Sequence, residues 1–224
     1  MFKNRKDAGE KLAQVLEKYR DKNLLVLAIP RGGVEVGLQV SRKLGAEFSL
    51  IIVRKLPFPD NPEAGFGAVA EDGSTFIFEN ASYWLARETI ERIKQDQIVE
   101  VERRINALRR GNPLPELAGR TVILVDDGIA MGSTMRAAIE LCRARKAGKI
   151  VVAVPVTGRE AAKSIEKEAD ELVVLYMPIN FRAVAQAYEN WYDVSDEEVL
   201  DLLRERINEK EIKAHEFDQS SLST

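Results

Sequence analysis

The 224-residue chain is poor in the side chains that most often mark an active site or a compartment. Its one cysteine, Cys142, rules out a disulfide within the chain. Its one histidine, His215, lies in the tail and reads as an exposed residue rather than a base, and no Cys/His cluster has the spacing of a zinc site. No apolar run approaches the roughly 20 residues needed to cross a bilayer, and the first residues lack the hydrophobic core of a secretion signal, so a cytoplasmic place is expected. Charge of one sign is also missing: 33 basic residues face 36 acidic ones. No general field therefore recruits nucleic acid.

What is present suits a packed protein. At 45% hydrophobic and 31% charged residues the chain can bury a full core, and its length fits one domain with an elaboration better than two equal domains. Cys142 falls in a helical apolar pattern and reads as a buried thiol rather than a nucleophile. The expected class is α/β, a mostly parallel open sheet flanked by helices.

The organising stretch is residues 122 to 134. Val122-Ile123-Leu124-Val125 reads as a buried strand. Asp126-Asp127-Gly128-Ile129-Ala130-Met131-Gly132 must leave the sheet, and Ser133-Thr134 opens a helix whose apolar positions are Met135, Ala138, Ile139 and Cys142. A loop entering a helix N-terminus offers unbonded N–H groups and the positive end of the helix dipole, which suits a phosphate. No lysine follows the last glycine, so the triphosphate-hydrolase loop is not matched. Gly32, Gly33 and Gly37 have the wrong spacing for a dinucleotide fingerprint. Asp126 and Asp127 at the strand mouth suit sugar hydroxyls or a Mg²⁺-screened anion.

Earlier in the chain, an amphipathic helix over 5–20 precedes a strand at 24–29. Pro30-Arg31-Gly32-Gly33 breaks that strand, a helix follows over 34–44, and a second strand is expected at 48–53. Arg54-Lys55 then opens a stretch to residue 67 with three prolines, expected to be a structured lid or wall loop. Asp72-Gly73 predicts a hairpin between residues 67–71 and 75–78. The composition of 82–110 predicts one helix of roughly 40 Å, either against a partner subunit or across the domain. Strand, helix, strand recurs over 150–176, and 181–192 brings an aromatic cluster and a short helix. A last helix runs from Ser195 to residue 212, after which the tail is expected to fray, with His215 exposed. Arg103-Arg104 and Arg109-Arg110 read as a solvated face.

Residues 122 to 134 resemble the phosphoribosyl-pyrophosphate motif of the type I phosphoribosyltransferases: two hydrophobics, two acids, then a Gly/Thr/Ser-rich loop. Met131 stands where most members carry a threonine. The resemblance extends, more loosely, over Ile29 to Gly33, Arg54-Lys55, Gly67 and residues 181–198 to the uncharacterised phosphoribosyltransferase-like proteins of bacteria and archaea.

It implies a single phosphoribosyltransferase-like domain over 1–224, with an inserted hairpin and long helix at 68–110 and a C-terminal helical segment at 181–218. By position, Gly128, Ile129, Ala130, Met131, Gly132, Ser133 and Thr134 would hold the 5-phosphate, and Asp126 and Asp127 would face the ribose hydroxyls. Arg31, Gly32 and Gly33, on a loop that in the family often carries a non-proline cis peptide, would bind pyrophosphate, with Arg54 and Lys55 on its other side. Arg31, Lys55, Asp126 and Asp127 are the expected catalytic set. Mg²⁺ would be the cofactor, held chiefly by substrate oxygens, with no metal-ligand set in the chain. The implied activity is transfer of a 5-phosphoribosyl group to a nucleobase-like or other small nitrogenous acceptor, with a homodimer as one expected assembly and neither membrane nor nucleic acid as partner. Two alternatives stand beside it, a regulatory protein that binds phosphoribosyl pyrophosphate or a nucleotide without turnover, and a hydrolase or phosphotransferase on a related phosphosugar.

Overall fold

The computed structural model describes residues 1–20 and 23–221, without the side chains of 82 and 210–221. In chain order the elements are α1 (Arg5–Val15), β1 (Leu24–Ala28), α2 (Gly33–Leu44), β2 (Glu47–Leu50), β3 (Val53–Phe58), β4 (Asn61–Ala70), β5 (Thr75–Ile77) and α3 (Arg87–Arg109). They continue with β6 (Thr121–Val125), α4 (Ser133–Ala144), β7 (Lys149–Val156), α5 (Arg159–Ile165), β8 (Glu171–Tyr176) and α6 (Asp196–Ser221).

Five strands pair in parallel in the order β2-β1-β6-β7-β8. Strands buried on both faces need continuous apolar runs, which is why β1, β6 and β7 read as Leu/Val/Ile stretches. Their side chains divide by alternation. Leu25, Leu27, Val122 and Leu124 meet Met135, Ile139 and Cys142 of α4, whereas Val26, Ile123 and Val125 meet Leu12 and Leu16 near α1 and Val36 and Val40 of α2. Burial pushes the Cys142 thiol up to about 12, so it is an inert core group, as its spacing predicts.

Three strands form a separate antiparallel sheet, β3-β4-β5. This corrects the lid-loop expectation for 54–67, which is instead a two-strand hairpin. Its prolines sit where strands tolerate them: Pro57 at a break in register, Pro59 in the turn, Pro62 near the start of β4. The second strand expected at 48–53 is likewise divided between sheets. Ile51 donates to Ala28 O at 3.0 Å in the main sheet, and Ile52 already donates to Glu71 Oε1 at 3.0 Å.

The long helix starts at Arg87 rather than at residue 82, because residues 79–83 take a 3₁₀ turn that buries Ala81 against the small sheet. It lies on its own chain, with Ile93 against Leu56 and Phe66, and Val101 and Leu108 against Leu50, Ile52 and Val199. Residues 181–192 hold one 3₁₀ turn, at Val184–Ala187. The last helix does not fray at residue 212 but continues to Ser221; the His215 side chain and residues 222–224 lie outside the described set. No helix among the described residues is long and apolar enough to cross a membrane.

Candidate active site

β1 and β6 are neighbours in register, Ala28 beside Val125, so the loops that follow them leave the sheet side by side. In open α/β sheets that is where ligands gather. The first loop is bound at once to the second strand, Ile29 N–H donating to Val125 O at 2.9 Å. Its Pro30–Arg31 peptide is cis. Gly32 is required by contact: a Cβ there would stand 1.8 Å from Asp127 Oδ2.

The second loop is anchored on its other side to β7. Ile129 N–H donates to Val156 O at 2.9 Å, and the buried Thr157 hydroxyl donates to Ile129 O at 3.0 Å. Gly132 turns into α4 with φ +84°, a conformation glycine adopts without the Cβ penalty. No side chain caps α4, and its first helical bond is Arg136 N–H to Gly132 O, so the N–H groups of Ser133, Thr134 and Met135 find no acceptor within the helix. Ala130 and Met131 are exposed at the tip. The cradle is thus built from backbone and a helix terminus, without a cation of its own.

Between the loops lie the acids. Asp127 is buried and its Oδ2 accepts from Arg5 Nε at 2.8 Å. Its backbone oxygen accepts from the Tyr188 hydroxyl at 2.6 Å, and its N–H donates to Asp126 Oδ1 at 2.8 Å. Burial holds the Asp126 carboxyl well above the usual carboxylate range, with the Asp127 charge adding to it. Burial raises Asp127 as well, and the Arg5 charge and hydrogen bond oppose that rise. Desolvation raises the Tyr188 hydroxyl too, so it remains a donor.

On the far side of the 30–33 loop, arginines gather. Arg31 Nη1 lies 3.6 Å from Asp196 Oδ1, too far for a hydrogen bond, and that buried oxygen has no hydrogen-bond partner. Asp196 Oδ2 accepts from Arg103 at 3.2 Å, and Arg103 and Arg104 both hold Glu100. Arg54 has only the neutral Gln97 Oε1, at 3.2 Å, and among the described residues it makes no ion pair. Burial and then the charge of Arg104 push its pKa down, Glu100 pulls against them, and Arg31 and Arg103 add to the fall. A half-buried cation in a field of its own sign is a place for an anion.

The expected residues are brought together in part. Arg31, Gly32, Gly33, Asp126, Asp127 and the 128–134 loop share one edge, and Arg54 stands behind Arg31. Lys55 departs from the rest: strand alternation turns it to the opposite face of β3, and its Nζ donates to Glu63 O at 2.6 Å. Arg104, read as part of a solvated face, is only 8% exposed. Tyr188 is buried and packs at 5.6 Å on Phe2 and 5.3 Å on Trp191, and Trp191, itself exposed, lies 4.1 Å from the Arg5 guanidinium. Arg5, Tyr188 and Asp196 are not among the expected site residues, Tyr188 reading as part of an aromatic cluster and Asp196 as part of a helix start. Arg5 had a signal: it stands three residues before Ala8 and seven before Leu12, on the apolar stripe of α1.

An open parallel sheet with a phosphate-type loop and two acids beside an arginine-lined loop defines an α/β protein with a candidate anion-binding edge. The phosphoribosyl transferase domain model matches residues 3–189, and the chain belongs to that family, with the type I fold. A protein bearing the name "Putative phosphoribosyl transferase" in two strains of Mycobacterium tuberculosis is 39% identical over 205 residues, 91% of this chain and 46% of that protein. The chain therefore spans about half the length of these curated relatives. The crystal structure of TT1426 from Thermus thermophilus superposes with a TM-score of 0.77 at 37% identity, covering 92% of this chain and 98% of that one.

Proposed function

We propose that the whole chain works as one domain that transfers the 5-phosphoribosyl group of phosphoribosyl pyrophosphate to a nucleobase-like or other small nitrogenous acceptor, releasing pyrophosphate. The observation that carries the reading is the pair of loops leaving adjacent strand ends with acids between them. The Gly128–Thr134 cradle takes the 5-phosphate, Asp126 and Asp127 stand at the sugar, and Arg31, Gly32, Gly33 and Arg54 take the diphosphate.

The chemistry asks little else of the protein. The C1–O bond to the diphosphate breaks with its electron pair leaving on oxygen, and the sugar develops oxocarbenium character. An acceptor nitrogen then supplies the electron pair of the new C1–N bond and gives up its proton. Placement of the partners and stabilisation of the departing charge suffice, so no covalent nucleophile is needed. Lys55 has no part unless it releases Glu63 and changes face.

Among the described residues no three His, Cys, Asp or Glu side chains converge on a metal site. Two adjacent acids, one bonded to Arg5, fit Mg²⁺ only as an ion carried by the oxygens of the substrate. When bound there, it would neutralise charge on the diphosphate. A cytoplasmic place and a homodimer remain part of this reading.

A second reading is a non-catalytic binder of phosphoribosyl pyrophosphate or of a nucleotide, favoured by Lys55 facing away from Arg31. Pyrophosphate release from phosphoribosyl pyrophosphate with Mg²⁺, across a panel of bases and amines, separates the two. The transferase gives acceptor-dependent release that falls about a hundredfold in Asp126→Asn and more than about tenfold in Arg31→Ala. Uptake without release for every acceptor supports the binder, and no uptake sinks both.

A further inference from the structure

Two adjacent acids at a strand end are commonly read as doing one job twice. Here their surroundings differ. Asp127 is held at three points. Arg5 Nε binds its carboxylate at 2.8 Å, the Tyr188 hydroxyl binds its backbone oxygen at 2.6 Å, and the Gly32 backbone lies so close that no Cβ fits between them. Arg5 is itself fixed, since Nη1 donates to Tyr192 O at 3.0 Å and the guanidinium lies 4.1 Å from the Trp191 ring centre. Its side chain is 4% exposed. Such an arginine is costly to bury unless the contact it makes matters.

The hold passes outward through one bond. With its side chain and carbonyl both fixed, Asp127 has its N–H fixed too, and that N–H donates to Asp126 Oδ1 at 2.8 Å. Asp126 is the less buried of the two and stands at the mouth. Turning Oδ2 of Asp127 toward a ligand would take it from Arg5 and strand a buried cation, so that oxygen at least is committed to the clamp.

We propose that Arg5 is a positioning residue: by clamping Asp127 between α1 and the 30–33 loop, it aims Asp126 through the Asp127 N–H and leaves Asp126 as the acid that addresses the ribose hydroxyls. This rests on the phosphoribosyl reading above. Tyr188 serves the same clamp from the C-terminal segment, so residues from both ends of the fold set the geometry of one carboxylate.

The test is calorimetric titration of the full chain with phosphoribosyl pyrophosphate and, separately, with inorganic pyrophosphate, both with Mg²⁺, alongside thermal melts. The variants are Arg5→Met, Arg5→Lys, Tyr188→Phe, Asp127→Asn and the double Arg5→Met/Asp127→Asn. Arg5→Met and Asp127→Asn should each lose about tenfold in affinity for the activated sugar, and the double variant no more than either alone, since both break the same clamp. Arg5→Lys should recover most of that loss, and Tyr188→Phe should lose about threefold. Affinity for pyrophosphate, which lacks the ribose, should stay within about twofold throughout.

Wild-type-like binding of the activated sugar by the foldable Arg5→Lys, Arg5→Met and Tyr188→Phe proteins together overturns the proposal. So does a double variant that loses the product of the two single losses, or a parallel fall for both ligands that tracks the melting temperature. If Arg5→Met does not fold, Tyr188→Phe and Arg5→Lys decide by the sugar-to-pyrophosphate ratio. Uptake by the wild type that the variants leave untouched defeats this inference alone. No uptake by the wild type defeats the phosphoribosyl reading and this with it.

Discussion

The two anion-facing regions of the molecule are built on opposite principles. The 128–134 cradle has no cationic side chain, relying on N–H groups at an uncapped helix start, a left-handed glycine and one buried anchor, Thr157. The ridge behind Arg31 is the reverse, with guanidinium groups from a loop, a strand and a helix and, among the described residues, Glu100 and Asp196 to balance them. The first is held in shape by its own backbone before any ligand arrives. The second holds Arg54 without a carboxylate and leaves Asp196 Oδ1 without a hydrogen-bond partner, and an arriving anion changes most there.

The sharpest way to break that contrast is Arg54→Met. Removing a desolvated cation that its neighbours repel should leave the melting temperature unchanged or higher, while the affinity for inorganic pyrophosphate falls about tenfold. A fall in both would mean that Arg54 is structural and the ridge is no anion site. Next comes Gly132→Ala, which forces a Cβ into φ +84° and should cost about 1–2 kcal/mol of stability in a denaturant titration. Ribose 5-phosphate should bind more weakly to that variant while pyrophosphate binds as before. Equal weakening of both would show that the two regions are coupled.

The smallest effect serves as a control from the far end of the sheet. Glu171 accepts from Lys18, Tyr19 and Lys149, and the Lys18 and Tyr19 hydrogen bonds hold its carboxyl down to about 2. A depressed folded value means that its stabilising share is present above the ordinary 4.5 and is lost as pH falls toward about 2. Glu171→Gln should flatten the loss of melting temperature between those values and leave both ligand affinities alone. A change in either affinity would show that this end of the sheet reaches the loops.

The same contrast decides what the sequence could tell. The cradle is thirteen consecutive residues whose strand, glycines and helix start all act locally, so motif, strand and helix were legible together. The parallel sheet was legible for the same reason, since strands buried on both faces are written as unbroken apolar runs. The ridge joins residues 31, 54, 103, 104 and 196, and no local pattern links them. Arg104 looked solvated because two adjacent arginines in a charged helix commonly are, whereas its place beside Val101, Ile105 and Leu108 on one helical face puts it inside. The 54–67 hairpin reads as a loop in sequence because its prolines mimic one, though each occupies a position that spares the ladder. Lys55 adjoins Arg54 in sequence, but alternation along a pleated strand sends neighbours to opposite faces.

The bond from Tyr188 to Asp127 spans 61 positions of chain. On a polypeptide emerging from its N-terminal end, β6 and its acids are made after Arg5 but well before Tyr188, the later of the two side chains that fasten Asp127. The sheet has its central strands while the carboxylate pair still lacks its aromatic strap. The geometry of this edge is therefore completed only after the strands that carry it have been made.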